Sequence, residues 1–323
     1  MKRVLLIGAG NIGSRHLQAL KAVKEPLDIS VVEPNKESRE KARAAFDSAK
    51  PEKSPHCVSF YEHIPNNTES IDLCIVATTS KDRRSAIEHV LENRKVQYFL
   101  LEKLLFDRKE DYRTVAELFK KNNVRAWVNC TMRTIPFYAE MKKDGLLKKI
   151  NYTVGSGETG LVTSIVHFLD HMAYLTECLD FTVDTSLIDP TPIESKRKGF
   201  IDLIGTIRVT FADGSTGSFT RYPSGTEPSL ITVTDEDVAY IIRETEEKTW
   251  VSKKKNGWKW NEVASPIPYQ SVMTTWLVEE ILREGKCRAV TFQDSSKIHL
   301  QILEPLRQFL NANGGNYDYF PFT

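Results

Sequence analysis

Glycine recurs early in the chain at Gly8, Gly10 and Gly13, directly after the apolar run 4–7. That spacing suits a dinucleotide site: Gly8 for a tight turn, Gly10 so that the backbone can approach a pyrophosphate, and Gly13 for close helix–strand packing. The free N–H groups and dipole of the helix that follows would attract the phosphates. Glu33 stands twenty residues after Gly13, where an acid can receive a ribose 2′-OH; it repels a 2′-phosphate, so NAD is favoured over NADP. The bland alternative is a tight βα turn with a solvated charge at a strand end.

Other residues could carry a proton or hold a ligand. Glu102-Lys103 ends an apolar run; the lysine could act as an acid, or as a base if burial or a neighbouring cation lowers its pKa. A solvated pair is the alternative. His167, Asp170 and His171 share one helical face. Two histidines at i, i+4 invite a metal, but no third ligand is apparent, so no metal is expected. One histidine should then face a pocket while the other is packed or exposed. Arg133 could hold an anionic or hydroxyl-rich substrate, or form an ion pair. Lys253-Lys254-Lys255 reads as a solvated hairpin tip, and Trp250, Trp258 and Trp260 as sheet core or a subunit interface.

The elements that must position these residues follow from apolar periodicity. Strands are expected over 4–7, 27–32, 58–61, 71–77, 96–101 and 124–129. Helices are expected over 14–23, 36–46, 85–93 and 111–121, with a turn at 65–67. Alternating strands and helices argue for a parallel sheet wound on both faces. Ligands bind such sheets at the carboxyl ends of strands, so the glycines, Glu33, Thr78 and Glu102-Lys103 should line one rim. After residue 129 the pattern changes to α+β. Helices are expected over 135–143 (stopped at Asp144-Gly145), 164–175, 272–283 and 295–310. Strands are expected over 149–155, 201–211, 215–222, 230–234, 238–244 and 248–253, mostly antiparallel. Asp213-Gly214 and Asn256-Gly257 are hairpin turns, and the tail 311–323 reads as loop. The expected domains are 1–129 and 130–323.

The chain has 323 residues, enough for two domains. A net charge of +1 gives no electrostatic case for nucleic acid. No apolar run approaches the ~20 residues of a membrane span. With a first strand at residue 4 there is no room for a signal peptide. Five scattered cysteines read as free thiols of a reducing compartment, so a soluble cytoplasmic protein is expected.

The combination of the glycine-rich strand–helix start, Glu-Lys at the end of the fifth strand and H-x-x-D on a later helix resembles the glucose–fructose oxidoreductase / inositol dehydrogenase / MocA family of NAD(P)-dependent oxidoreductases. The stretches GAGNIGSRHLQAL (8–20), FLLEKLLF (99–106) and SIVHFLDHMAYL (164–175) carry it across nearly the whole chain. The resemblance implies an N-terminal doubly wound Rossmann domain and a second α+β domain with a mostly antiparallel open sheet, used for substrate binding and oligomerisation. Gly8, Gly10, Asn11, Ile12 and Gly13 would hold the pyrophosphate and Glu33 the adenosine ribose. Thr78, Thr79 and Glu102 would lie along the cofactor. Lys103 and His167 would be catalytic, and Arg133, Thr163 and Asp170 would fall on the substrate side.

The departures matter as much. Leu104 stands for the proline of Glu-Lys-Pro, Arg83 for a frequent histidine, and Thr163 for an aspartate four residues before the active-site histidine. NCTMRTIPFY (129–138) resembles members of bacterial surface-carbohydrate pathways, which suits a nucleotide sugar or acidic sugar. The activity implied is hydride transfer between NAD and a sugar, nucleotide sugar or polyol. Alternatives are a cofactor-binding sensor without turnover, which Thr163 favours, or an enzyme with bound NAD and no net redox. A homodimer or homotetramer through the open sheet is expected.

Overall fold

The computed structural model describes residues 1–65, 69–143 and 148–323, so the expected turn at 65–67 lies largely, and the stop at Asp144-Gly145 wholly, outside the described residues. The chain opens with alternating elements: β1 (Lys2–Ile7), α1 (Asn11–Leu20), β2 (Leu27–Val32), α2 (Lys36–Ser48), β3 (Cys57–Tyr61), β4 (Ile71–Val76), α3 (Ser80–Asn93), β5 (Val96–Leu101), α4 (Lys109–Lys121) and β6 (Arg125–Val128). A second series follows: α5 (Pro136–Lys143), β7 (Asn151–Ser156), α6 (Leu161–Thr176), β8 (Phe181–Ile188), β9 (Ile193–Glu194), β10 (Ile201–Asp202), β11 (Gly205–Phe211), β12 (Thr216–Arg221), β13 (Leu230–Thr234), β14 (Val238–Arg243), β15 (Lys248–Lys253) and β16 (Trp260–Ala264). The last elements are α7 (Gln270–Glu284), β17 (Val290–Thr291) and α8 (Phe292–Ala312).

Two compact units result, and they are not consecutive halves. The first is Met1–Thr131 together with Pro268–Gln293; the second is Met132–Ile267 together with Asp294–Thr323. The division differs from the expected 1–129 and 130–323 because α7 and β17 pack with the first unit. Leu277, Val278 and Ile281 of α7 join Leu17 and Leu20 of α1 in its core, all at 0% exposure. The sheet of this unit has the order β17-β6-β5-β4-β1-β2-β3; β1 to β6 are parallel, and β17 adds to β6 antiparallel. The reversal of strand order between β1 and β4 places a switch point beside Gly8.

The second unit carries an eight-stranded sheet, β16-β15-β14-β13-β7-β12-β11-β8, antiparallel except for β12 with β7. Strand alternation gives it an apolar inner face. Tyr152 and Phe219 there meet Phe168 of α6, ring to ring at 6.4 and 5.9 Å. The single strand expected over 201–211 is two strands. Gly205 opens the second of them at φ +102°, where the chain passes from a short hairpin with β9 into the large sheet. The tail lacks regular structure after Ala312 but is not loose: Phe320 and Phe322 are buried, and Ile201 donates its N–H to Pro321 O at 2.9 Å.

Candidate functional site

The glycine turn of the first unit has the steric requirements its spacing suggests. Gly8 lies at φ +86°, and a Cβ there would press on the backbone of Ala77 and Thr78 at 3.0–3.1 Å. A Cβ on Gly13 would stand 1.9 Å from Gly8 O, so only glycine lets α1 leave β1 this closely. At Gly10 nothing lies within 4 Å of a Cβ. Its value is open space over the backbone, where a phosphate could come close. Helix α1 begins at Asn11 rather than at residue 14 as expected. No side chain caps it and no acid stands in its first turn, so its leading N–H groups suit an anion.

Glu33 does more than end β2. Its Oε2 accepts the N–H of Ala9 at 2.7 Å, and its Oε1 accepts the N–H of Asn35 at 3.0 Å. The carboxylate therefore braces the glycine turn, and its remaining lone pairs can still receive ribose hydroxyls. The rim expected from sequence exists within this unit: the glycine turn, Glu33, Thr78 and Glu102-Lys103 all follow the carboxyl ends of parallel strands. Thr79 is the N-cap of α3, which starts at Ser80, five residues before the expected 85. Its hydroxyl donates to Asp82 Oδ2 at 2.5 Å instead of accepting a helix N–H.

Arg83, marked in sequence only as a departure, has a clear part. It is 1% exposed and donates to the carbonyls of Leu104, Leu105 and Thr78, tying the loop after Lys103 to the loop after β4. The Lys103–Leu104 peptide is cis.

Glu102 is buried, and its partners were not expected. Oε1 receives His16 Nε2 at 2.8 Å and Asn129 Nδ2 at 2.6 Å. Burial pushes the carboxyl up; the bond and charge of His16, then Asn129 and Lys103, outweigh it and hold the group below the usual glutamate range. In the sequence, His16 was visible only as a polar residue on the same apolar helix face as Leu20. A buried imidazole needs a partner, but the pattern does not say which.

In the second unit α6 carries three of the expected residues. Asp170 is 1% exposed, and Arg133 holds it through Nε and Nη2 at 2.8 and 2.7 Å. The two bind each other as a fork on a carboxylate, the ion pair given as the alternative for Arg133. Burial pushes Asp170 up to about 6 against the pull of Arg133. His171 is the packed histidine. Its Nδ1 meets Tyr152 Oη at 3.0 Å, and burial, then the Arg133 charge, pushes its pKa down to about 3. His167 is only partly buried, one turn after Thr163 on the same helix. Among the described residues no group of three or more His, Cys, Asp or Glu could hold a metal ion.

Thr163 is not remote from a carboxylate. Its Oγ1 donates to Asp202 Oδ2 at 3.4 Å, while Asp202 Oδ1 accepts the N–H groups of Val162 and Leu203, each at 2.9 Å. Arg221 lies 3.2 Å from Oδ2. A Cβ on Gly160 would fall 2.2 Å from both Asp202 Oδ2 and Thr163 Oγ1, so this junction requires glycine. The first turn of α6 thus takes its acid from β10.

Residues 2–130 match the model of a family described as "Oxidoreductase family, NAD-binding Rossmann fold". Among solved structures, the chain resembles an oxidoreductase from Agrobacterium radiobacter in complex with NAD+, L-tartaric acid and magnesium, with 16% identity, TM-score 0.72 and 97% of each chain covered. It also resembles UDP-N-acetylglucosamine 3-dehydrogenase from Acidithiobacillus ferrooxidans, with 12% identity, TM-score 0.71 and coverage of 97% of this chain and 98% of that one. A third likeness is biliverdin reductase in complex with biliverdin and NADP+ from Synechocystis, with 12% identity, TM-score 0.72 and coverage of 96% and 99%. At such identities these likenesses establish the fold. No curated protein matches the sequence.

Proposed function

The N-terminal domain of this chain belongs to the Gfo/Idh/MocA oxidoreductase family, and from that premise we propose an NAD(H)-dependent oxidoreductase acting on a sugar, nucleotide sugar or polyol. The observation that carries the reading is the rim of the first unit, where the Glu33-braced glycine turn and Glu102-Lys103 end neighbouring parallel strands. The bound dinucleotide supplies or accepts a hydride at the nicotinamide ring. Lys103 donates a hydrogen bond to the substrate oxygen and polarises it. His167 takes the hydroxyl proton as the carbon loses its hydride, and returns it in the reductive direction. Glu33 favours NAD, since a 2′-phosphate beside its carboxylate would be repelled.

The carbohydrate assignment is supported by the resemblance of NCTMRTIPFY (129–138) to members of bacterial surface-carbohydrate pathways and by a neighbour named as a UDP-sugar dehydrogenase. That another neighbour carries biliverdin shows how widely this fold is used. The cysteines are free, in keeping with a reducing compartment such as the cytoplasm.

The test is titration with NADH and NADPH by nicotinamide fluorescence, followed by a panel of nucleotide sugars and acidic sugars. NADH binding with oxidation on one sugar is the expected result. Tight binding with no turnover on any sugar would replace the enzyme with a sensor or a bound-cofactor protein, and NADPH preference would remove the role given to Glu33. On the productive substrate, Lys103→Ala should lower kcat by about 10²–10⁴-fold while NADH still binds. Unchanged turnover would end the role of Lys103.

A further inference from the structure

The partners of Glu102 form a closed ring whose hydrogen-bond directions can be read one from the next. Glu102 is ionised, so its Oε1 only accepts, and Asn129 must present Nδ2 to it, at 2.6 Å. Asn129 Oδ1 then faces Gln270, which must present Nε2, at 3.4 Å. The same Nε2 donates to Thr274 Oγ1 at 2.9 Å. That hydroxyl also meets His16 Nδ1 at 2.8 Å. Because Oε1 only accepts, His16 carries a hydrogen on Nε2 and donates it to Glu102 Oε1 at 2.8 Å. Flipping either amide would set two acceptors against each other. The ring joins α1, the ends of β5 and β6, and α7, all in the first unit.

Every donor in the ring converges, directly or through a neighbour, on one oxygen of Glu102. The other oxygen, Oε2, accepts no hydrogen bond among the described residues, and it is not among the sealed, partnerless atoms. A carboxylate held this way presents a single fixed acceptor on the rim beside Lys103.

We propose that this ring, in which His16 donates through Nε2, is a positioning device that fixes Glu102 Oε2 as the acceptor for an N–H or O–H in the nicotinamide–ribose half of the dinucleotide. The proposal rests on the cofactor reading above and adds to it His16, Thr274, Gln270 and Asn129. His16 and Thr274 touch no ligand and act through Glu102.

The experiment compares the full-length chain with His16→Leu, His16→Gln, Thr274→Val and Glu102→Gln, measuring dissociation constants for NADH, ADP-ribose and ADP. His16→Leu and Glu102→Gln should weaken NADH by about tenfold, as loss of a bond to a charged group does, with ADP changed less than about twofold. Thr274→Val, which removes only the hydroxyl, should weaken NADH in the same direction. In His16→Gln the amide Nε2 can reach Glu102, and NADH affinity should return to within about threefold of the parent. Weakening of ADP-ribose alongside NADH assigns the donor to a ribose hydroxyl; weakening of NADH alone assigns it to the carboxamide.

Equal losses for ADP and NADH in folded variants would reduce the ring to a structural role and overturn the proposal, as would NADH binding unchanged in all four. Nitrogen NMR of the His16 ring gives a check independent of any ligand: an Nε2 without hydrogen would overturn the ring. A parent chain that binds no nicotinamide dinucleotide would overturn the functional reading itself, a result distinct from either.

Discussion

Arg133 shows how one residue changes meaning when its partner is known. In sequence it could hold a substrate or form a surface ion pair; in the fold it is the counter-charge of a buried carboxylate. Removing one member of such a pair strands the other, which costs more than the pair contributes. Arg133→Met should therefore destabilise the chain by about 3–5 kcal/mol near pH 8, measured by urea unfolding. The sign with pH follows from Asp170. Its folded pKa, about 6, is raised above that of an ordinary aspartate, so the native state keeps a proton that the unfolded chain releases. Stability from this group is fully present below the unfolded value and is lost as pH rises through about 6. In the variant the carboxyl has lost the pull of Arg133 and takes up its proton at a higher pH than in the parent, so the deficit should shrink as pH falls from 8 towards 6 and stay level below that. A deficit independent of pH would mean that Arg133 contributes packing alone.

Among the elements, those with a strong local signal were legible and those defined by distant partners were not. Strand β2 and strand β15 begin and end where apolar alternation places them, because each pattern is complete within six residues. Strand β16 was missed: all its residues are exposed, so no apolar period marks it, and only pairing with β15 makes it a strand. Strand β8 was missed for a related reason, its burial following its register on β11. Helix α3 was begun late because its polar first turns carry no apolar stripe. Of the candidate site, the glycines, Glu33 and Glu102-Lys103 were readable from spacing. Their brace at Ala9, the Arg83 tie and the Glu102 ring join residues too far apart in sequence to show a pattern. The first turn of α6 is the same kind of feature, since its acid is Asp202 of β10. Asp202→Ala should cost about 1–3 kcal/mol and raise hydrogen exchange first at the N-terminal turn of α6. Exchange that rises evenly along the helix would assign Asp202 to global stability instead.

At the scale of the molecule, the outer face of the large sheet bears on assembly. One row across it runs Asp184, Arg208, Ser218, Thr153, Thr232, Ile241, Trp250 and Glu262 in register. It passes from an ion pair through small hydroxyl side chains to an aromatic edge, with Trp260 half exposed on the neighbouring strand. A small-residue centre with indoles along one edge suits self-association, and a dimer or tetramer mass in solution is expected. Trp250→Arg with Trp260→Arg should shift that mass towards the monomer in sedimentation; a parent chain already monomeric would remove the interface.

The return of residues 268–293 to the first unit also has a consequence in time. A chain emerging from the ribosome N-terminus first cannot close the ring around Glu102, or complete the core behind α1, until α7 has been made. At about 5–20 residues per second, the nascent first unit waits some seconds with that apolar flank uncovered. It is during this interval, rather than in the finished protein, that a chaperone would have most to hold.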